Sequence, residues 1–266
     1  MNAPATWVLV TGASGYVGSR LTPYLRAAGC SVIAFGRSLA RDADVVRVGS
    51  FTSPADLERL DDLSIDVVVH LAGVTGDAAE AEAIEVNVAG SRLLLRTMID
   101  RGVRRFIIAS SIAAAGCLTE EFLPQELPIP ASHPCLSANP YGFSKYVVEE
   151  LARYLARTDR SLEFDLYRIG VVVSDLDYRV DLSSVRLPFC QLGTVPIGTV
   201  LERITAAILT PRGPGARVAN LVAPDIPSPV STIDTLTVVL GPRVGSLDLS
   251  AYRRPGNERA GLWAVE

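Results

Sequence analysis

The chain has 266 residues, a formal net charge of -4 and 48% hydrophobic residues, a composition typical of a folded globular protein and not of a disordered one. Its 25 Lys and Arg residues are outnumbered by 29 Asp and Glu residues. A nucleic-acid interface needs clustered cations to neutralise phosphates, so we expect no nucleic-acid partner.

The four cysteines lie far apart without a Cys-x-x-Cys pair, and the chain has two histidines, so no zinc-ligand spacing is present and no metal is expected. The apolar run Trp7–Val10 is too short for a membrane span or a signal-peptide core, and no basic segment precedes it. These features predict a cytoplasmic protein with reduced thiols and no membrane partner.

In chain order, short apolar runs rich in β-branched residues alternate with longer segments of helical periodicity. The predicted strands are Trp7–Val10, Val32–Phe35, Val45–Val48, Asp66–Leu71, Phe106–Ala109 and Phe164–Val173. The predicted helices are Tyr16–Ala28, Pro54–Leu60, Ala79–Arg101 and Tyr141–Arg157. This alternation predicts an α/β fold with a Rossmann-type, doubly wound parallel sheet.

Proline and glycine become more frequent after Ser174, and the alternation fades. We therefore predict a dinucleotide-binding Rossmann domain over residues 1–174 and a small C-terminal substrate-binding lobe over residues 175–266. Within the lobe we predict the helices Val200–Thr210 and Ser231–Leu240, and the strand Arg217–Val222, which either stays in the lobe or returns to the first sheet.

The first strand runs directly into Thr11-Gly12-Ala13-Ser14-Gly15-Tyr16-Val17-Gly18, and a helix follows. Gly12 would make a tight turn, Gly15 would let backbone amides approach a pyrophosphate, and Gly18 would let the helix pack close to the strand. A glycine triplet in a first βαβ unit is typical of dinucleotide binding.

The end of the second strand selects between the two nicotinamide cofactors. Here the sequence is Ala34-Phe35-Gly36-Arg37-Ser38, without the acid that would accept from the ribose 2′-hydroxyl of NAD. Arg37 can bind a 2′-phosphate and Ser38 can add a hydroxyl, so NADP is the first choice and NAD the second. The alternative for Arg37 is a solvated surface arginine.

The helix Tyr141–Arg157 places Tyr141 and Lys145 four residues apart on one helix face. Lys145 is the only lysine in the chain. A nearby ammonium group favours the phenolate, so we expect Lys145 to lower the pKa of Tyr141 toward neutrality and to make it a general acid and base.

With the glycine motif and Tyr-x-x-x-Lys together, the chain resembles the short-chain dehydrogenase/reductase superfamily, specifically its extended branch, the NAD-dependent epimerase/dehydratase family. Further matching segments are His70-Leu71-Ala72-Gly73, Asn87-Val88-Ala89-Gly90, Ala109-Ser110-Ser111 and Asn139-Pro140-Tyr141-Gly142. The resemblance implies a Rossmann fold, a nicotinamide cofactor, and a homodimer formed through Ala79–Arg101 and Tyr141–Arg157 of each subunit.

The same resemblance implies roles for individual residues. Ser111 would polarise a carbonyl group, Tyr141 would be the acid and base, and Lys145 would bind the nicotinamide ribose. The expected cofactor-binding residues are Gly12, Ser14, Gly15, Tyr16, Val17, Arg37, Ser38, Leu71, Ala72, Gly73, Asn87, Tyr141 and Lys145. We expect Ser111, His133 in the proline-rich loop Leu118–Asn139, and Arg168 to contact a small-molecule substrate.

Three hypotheses for the function stay open on the sequence. The first is an NADP-dependent reductase of a ketone, either a nucleotide-linked keto-sugar or a natural-product intermediate. The second is a sugar-nucleotide epimerase that retains NAD, and the third is a non-catalytic NADP-binding sensor or scaffold. Dehydratase activity is disfavoured because Ile112-Ala113-Ala114 replaces the acidic pair that relatives of that type carry after the serine.

Overall fold

The computed structural model describes residues 6–174 and 178–265. Seven strands form one mostly parallel sheet in the order β3-β2-β1-β4-β5-β6-β9. They are β1 (Trp7–Thr11), β2 (Ser31–Gly36), β3 (Val45–Val48), β4 (Val67–His70), β5 (Arg105–Ser111), β6 (Glu163–Ile169) and β9 (Gly215–Leu221). Two short parallel strands, β7 (Val171–Val173) and β8 (Thr194–Pro196), pair separately. The predicted Rossmann-type sheet is confirmed.

The central strands are continuous apolar runs because the sheet is covered on both faces. In β1, Val8 pairs in parallel with Val32 of β2 and with Val67 of β4. The side chains of Val8, Leu9 and Val10 are all inaccessible to solvent. Burial of successive residues, and not of alternate ones, explains why these segments lack the period of two that marks a half-exposed strand.

The described part of the chain contains eight α-helices. They are α1 (Gly18–Ala27), α2 (Pro54–Leu57), α3 (Glu80–Glu82), α4 (Ser91–Asp100), α5 (Pro140–Thr158), α6 (Pro188–Gln191), α7 (Ile197–Leu209) and α8 (Thr232–Leu240). The side chain of Ser53 accepts a hydrogen bond from the Asp56 amide and caps the start of α2. Gly29 and Gly102 follow α1 and α4 with positive φ, which suits glycine.

The predicted helix Ala79–Arg101 is helical without a break over residues 80–100, but its middle part differs from an α-helix. Between α3 and α4, residues Ala83–Gly90 form a π-helix. A side chain at Gly90 would clash with Phe51 and Thr52, so glycine lets the end of the π-helix pack closely against a neighbouring loop. Such insertions occur often at functional sites.

The chain divides into two compact units. The first contains the described residues up to Ala109 together with Val147–Leu166 and Leu201–Arg217, and the second contains Ser110–Tyr146, Tyr167–Val200 and the residues from Val218 onward. The boundary predicted between residues 174 and 175 stays a prediction, since residue 175 lies outside the described residues. The predicted strand Arg217–Val222 corresponds to β9, which lies beside β6 in the main sheet.

The second unit has its own apolar core, in which Phe189, Tyr252 and Trp263 are buried. The Trp263 indole Nε1 donates to the Phe189 carbonyl oxygen at 2.9 Å. The backbone nitrogen of Ile129 donates to the Leu262 carbonyl oxygen at 2.8 Å, which ties the proline-rich loop to this core. None of the described helices is both long enough and apolar enough to span a bilayer.

Candidate active site

A cavity of about 300 Å³ lies in the first unit, where the loops after β1, β2, β3 and β4 meet. Ligands of open parallel sheets bind at this carboxyl edge. The lining residues are Gly12, Ser14, Gly15, Phe35, Gly36, Arg37, Ser38, Gly49, Ser50, Phe51, Thr52, Leu71, Ala72, Gly73, Val74, Glu82 and Val86. Eight of the predicted cofactor residues therefore surround one cavity. The other five, Tyr16, Val17, Asn87, Tyr141 and Lys145, are not among its lining residues.

The glycine loop between β1 and α1 has the shape that a pyrophosphate requires. Gly12 has φ of +71°, and a Cβ there would lie 2.8 Å from the Ala72 nitrogen. A Cβ at Gly18 would clash with the Gly12 carbonyl oxygen, so glycine lets α1 begin directly against the loop. The cradle fits a dinucleotide with its phosphates at the N-terminus of α1.

The cavity wall after β2 consists of Gly36, Arg37 and Ser38, and both polar side chains are exposed. The carboxylate among the described lining residues is Glu82, which comes from α3 and not from β2. On the opposite loop, the Ser50 and Thr52 hydroxyl groups are 2.7 Å apart and hydrogen-bonded. A cation and three hydroxyl groups therefore surround this part of the cavity.

Asn87 holds the loop after β4, which forms part of the cavity wall. Its side-chain oxygen accepts from the Val74 amide at 2.9 Å, and its side-chain nitrogen donates to the Val74 carbonyl oxygen at 3.2 Å. Asn87 is buried in the π-helix, which directs its side chain toward the loop after β4. The structure thus shows Asn87 holding a lining residue, and its direct contact with a cofactor stays a prediction.

In the second unit, Ser111 ends β5 and Tyr141 lies in the first turn of α5. A side-chain hydrogen bond joins them. The side chain of Ser111 also accepts from the Ala113 amide at 3.1 Å. A Cβ at Gly142 would clash with the Ala113 carbonyl oxygen, so this glycine lets the start of α5 approach the end of the strand.

Lys145 is almost completely buried, with its Nζ 5.8 Å from the centre of the Tyr141 ring. The expected lowering of the Tyr141 pKa is nevertheless wrong for this structure. Burial raises the pKa of Tyr141 above its usual value, more than the hydrogen bond from Ser111 lowers it, and the thiols of Cys190 and Cys117 raise it further. The Tyr141 phenol is therefore protonated at neutral pH.

His133 and Arg168, the two other predicted substrate residues, hold the proline-rich loop. The Nε2 atom of His133 accepts from the Gln125 amide at 3.1 Å, which leaves Nδ1 to donate to the Pro134 carbonyl oxygen at 2.8 Å. Arg168, only 1% exposed, donates to the His133 carbonyl oxygen at 3.4 Å. Burial lowers the pKa of His133. Contact of either residue with substrate stays a prediction.

A second cavity, of about 270 Å³, lies in the second unit, and it was not predicted from the sequence. Arg179 and Arg259 both line it, with Asp225 as the acid among its described lining residues. The other lining residues are Val173, Tyr178, Thr194, Pro196, Thr199, Ala223, Pro224, Ile226 and Pro227. Two guanidinium groups beside apolar walls suit a ligand that carries an anionic group.

Comparison with known proteins agrees with this geometry. The sequence profile of the NAD dependent epimerase/dehydratase family matches residues 8–183. The chain belongs to this family. The matched range contains the glycine loop, Ser111 and the Tyr-x-x-x-Lys motif.

Several members of the family are similar in sequence. The UDP-glucose 4-epimerase of Halalkalibacterium halodurans is 30% identical over 154 residues, which cover 54% of this chain and 44% of that protein. The UDP-glucose 4-epimerase of Mus musculus is 31% identical over 186 residues, covering 60% and 52%. The chain thus spans about half the length of the curated relatives that it matches.

Solved structures share the fold. A short-chain dehydrogenase/reductase superfamily protein from Agrobacterium tumefaciens with bound NAD gives a TM-score of 0.68 at 24% identity, covering 82% of this chain and 78% of that one. A UDP-glucose 4-epimerase from Bifidobacterium longum in complex with NAD+ and UDP gives 0.66 at 22% identity, with the same two coverages. At these identities the likeness shows the fold alone.

Proposed function

We propose that this family member is an NADPH-dependent reductase of a ketone, with a nucleotide-linked keto-sugar as its first substrate class. The observation that carries the proposal is the pairing of the Ser111 hydroxyl group, at the end of β5, with the neutral Tyr141 phenol in the first turn of α5. A protonated phenol beside a second hydroxyl group is equipped to bind a carbonyl oxygen and to give it a proton.

The residues divide the chemistry among them. The reduced nicotinamide, when bound, supplies a hydride to the carbonyl carbon. Ser111 binds the carbonyl oxygen and Tyr141 transfers its phenolic proton to that oxygen. The Lys145 ammonium then stabilises the phenolate that remains until Tyr141 is protonated again. By resemblance to the family, Lys145 also binds the nicotinamide ribose.

The choice of NADP over NAD rests on the loop after β2. Arg37 and Ser38 line the cavity there, and a guanidinium group is suited to binding a 2′-phosphate with two hydrogen bonds. The solved structures described above hold NAD, so NAD is the second choice. For the substrate, Arg179 and Arg259 in the second cavity supply the charges that a diphosphate group needs.

The second candidate function is epimerisation of a nucleotide sugar, and the relatives named UDP-glucose 4-epimerase favour it. An epimerase would use the same Ser111, Tyr141 and Lys145 to oxidise a sugar carbon and then return the hydride to its other face. It would keep its cofactor through turnover and consume no NADPH overall. A cytoplasmic location and a homodimer belong to both proposals as expectations.

One experiment separates the two functions. The nucleotide that copurifies with the protein is released and identified, and the nucleotide-free protein is titrated with NADPH and NADH by fluorescence. Exchangeable binding that favours NADPH, followed by NADPH consumption with a nucleotide-linked keto-sugar, supports the reductase. Retained NAD without net NADPH consumption overturns it and supports the epimerase.

A further inference from the structure

Gly193 lies between α6 and β8, and the buried side chains of Ile112 and Trp263 both lie against it. A Cβ at this position would be 2.7 Å from the Trp263 Nε1 and 2.9 Å from the Ile112 Cδ1. Both distances are shorter than van der Waals contact, so a side chain at residue 193 requires a neighbour to move. The φ of Gly193 is not positive, so glycine is needed here for space and not for backbone conformation.

The Ile112 side of this contact leads to the candidate catalytic residues. Ile112 follows Ser111 and begins a short helical turn. In that turn, the Ala113 amide donates to the Ser111 side chain at 3.1 Å. The Ala113 carbonyl oxygen lies close against Gly142, the residue after Tyr141. One turn therefore supports both the hydroxyl group at the end of β5 and the start of α5.

The Trp263 side of the contact is held in place by hydrogen bonds. The Trp263 indole Nε1 donates to the Phe189 carbonyl oxygen at 2.9 Å. The residues on either side of Trp263 pair with the proline-rich loop. The Ile129 amide donates to the Leu262 carbonyl oxygen at 2.8 Å, and the Ala264 amide donates to the Ile129 carbonyl oxygen at 2.9 Å.

The backbone of Gly193 is held as well. Its carbonyl oxygen accepts from the Val171 amide at 2.8 Å, which joins it to β7. Because the backbone of Gly193 and the indole of Trp263 both have these fixed partners, a group added at residue 193 would displace Ile112. The turn that holds Ser111 would then move with Ile112.

We propose that Ile112, Gly193 and Trp263 are positioning residues that set the place of Ser111 relative to Tyr141, an inference that rests on the proposed function. The carbonyl oxygen of a substrate must lie within hydrogen-bond reach of both hydroxyl groups at once. A misplacement of about 1 Å at such a site can lower a rate by about 10²-fold. Close contact across Gly193 therefore serves catalysis although none of the three side chains carries the proton.

The test compares Gly193→Ala with the wild type. The kcat for ketone reduction should fall by about tenfold or more. The NADPH dissociation constant should stay unchanged, because the cofactor cavity is lined by residues of the first unit. Adding Ile112→Val should restore most of the lost rate, since valine lacks the Cδ1 atom that the new methyl group meets. Gly245→Ala, in the same unit with nothing within 4 Å of a Cβ, should leave kcat unchanged.

Trp263→Phe tests the same contact without adding bulk, and it decides the question if Gly193→Ala does not fold. Phenylalanine keeps an aromatic ring but removes the hydrogen bond to the Phe189 carbonyl oxygen. The kcat should fall by about threefold or more at an unchanged NADPH dissociation constant. Denaturant unfolding shows which variants are folded.

Crystal structures of the wild type and the variants give a readout that is independent of activity. The Ser111 Oγ should move relative to the Tyr141 phenol oxygen in Gly193→Ala and should return in the double variant with Ile112→Val. Wild-type kcat in a folded Gly193→Ala or Trp263→Phe protein, or a loss of kcat without movement of Ser111, overturns the inference. Movement of Ser111 that Ile112→Val reverses, in a protein that reduces no ketone, supports the positioning and overturns the proposed reductase instead.

Discussion

Two opposing effects act on the pKa of the Tyr141 phenol. The Ser111 hydrogen bond stabilises the phenolate, and the buried surroundings stabilise the neutral phenol more strongly. For ketone reduction the neutral form is the useful one, because the phenol must give a proton to the oxygen as the hydride arrives. The neutral phenol present at neutral pH is the form that the proposed reduction requires.

Tyr141→Phe removes this proton while keeping the ring. We expect kcat for ketone reduction to fall by roughly 10² to 10⁴, the usual contribution of a general acid. The NADPH dissociation constant should change little, since the glycine loop and the Arg37 loop that form the cavity are untouched. Steady-state rates and fluorescence titration measure the two quantities. Tyr154→Phe is the matched control, because this tyrosine of the same helix is 48% exposed.

The same variant also tests the non-catalytic hypothesis. A sensor or scaffold needs bound cofactor but no acid at Tyr141. Unchanged cellular function of Tyr141→Phe together with intact cofactor binding would therefore contradict both enzyme hypotheses.

Arg37→Ala tests the choice of cofactor. A hydrogen-bonded cation is worth about 1.5 to 3 kcal/mol, so NADPH affinity should fall about tenfold or more while NADH affinity stays the same. Paired fluorescence titrations measure both affinities. Arg41→Ala, a nearby arginine that does not line the cavity, should change neither. An equal loss for both cofactors would show that Arg37 does not contact a 2′-phosphate.

The residues of the candidate site that could be predicted from the sequence are those that belong to local motifs. The glycine loop, Ser111, Tyr141 and Lys145 follow from spacing and resemblance. The shared cavity of Arg179 and Arg259 depends on tertiary folding over a long separation, which no local pattern records. The direction of the Tyr141 pKa shift was mispredicted for the same reason, because burial is a property of the folded environment.

At the scale of the elements, Gly18 allows α1 to pack against the glycine loop of the cavity. Gly18→Ala places a methyl group against the Gly12 carbonyl oxygen, so the glycine loop or α1 must shift. We expect a loss of about 1 to 3 kcal/mol in the free energy of unfolding, together with weaker binding of NADPH. Denaturant unfolding and fluorescence titration check the two effects.

Gly198→Ala is the control for this prediction. Gly198 lies in α7, where nothing is within 4 Å of a Cβ at that position. Alanine should leave stability unchanged or raise it by up to about 1 kcal/mol, because it restricts the unfolded chain. Equal free energies of unfolding and equal NADPH affinities for Gly18→Ala and Gly198→Ala would contradict the role given to the close packing of α1 against the loop.

Elements whose periodicity arises within one segment were predicted well. The expected helices Val200–Thr210 and Ser231–Leu240 correspond to α7 and α8 with shifts of a few residues at their ends. The π-helix Ala83–Gly90 was not distinguished from an α-helix in the sequence. Within it, Gly90 packs against Phe51 and Thr52, and Asn87 accepts from the Val74 amide. The predicted strand Phe164–Val173 is divided at Gly170 into β6 and β7, and the strand β8 that pairs with β7 was not predicted.

At the scale of the whole molecule, two buried groups make the free energy of unfolding depend on pH in opposite directions. Burial lowers the pKa of His133 and raises the pKa of Asp165. A histidine with a lowered folded pKa contributes stability above its unfolded pKa, and this stability is lost as the pH falls. An acid with a raised folded pKa contributes stability at low pH that is lost as the pH rises through the folded value.

His133→Gln and Asp165→Asn separate these contributions, because each variant removes one titrating group. Below pH 6.5, the ordinary pKa of histidine, wild-type stability should fall by up to about 1.4 kcal/mol per pH unit through His133, since its protonated Nε2 could no longer accept from the Gln125 amide. His133→Gln should be less stable at neutral pH but should lose less stability on acidification. Asp165→Asn should lose stability relative to the wild type as the pH falls. Denaturant unfolding between neutral pH and the acid range measures all three proteins, and parallel curves would contradict the assignment of these groups.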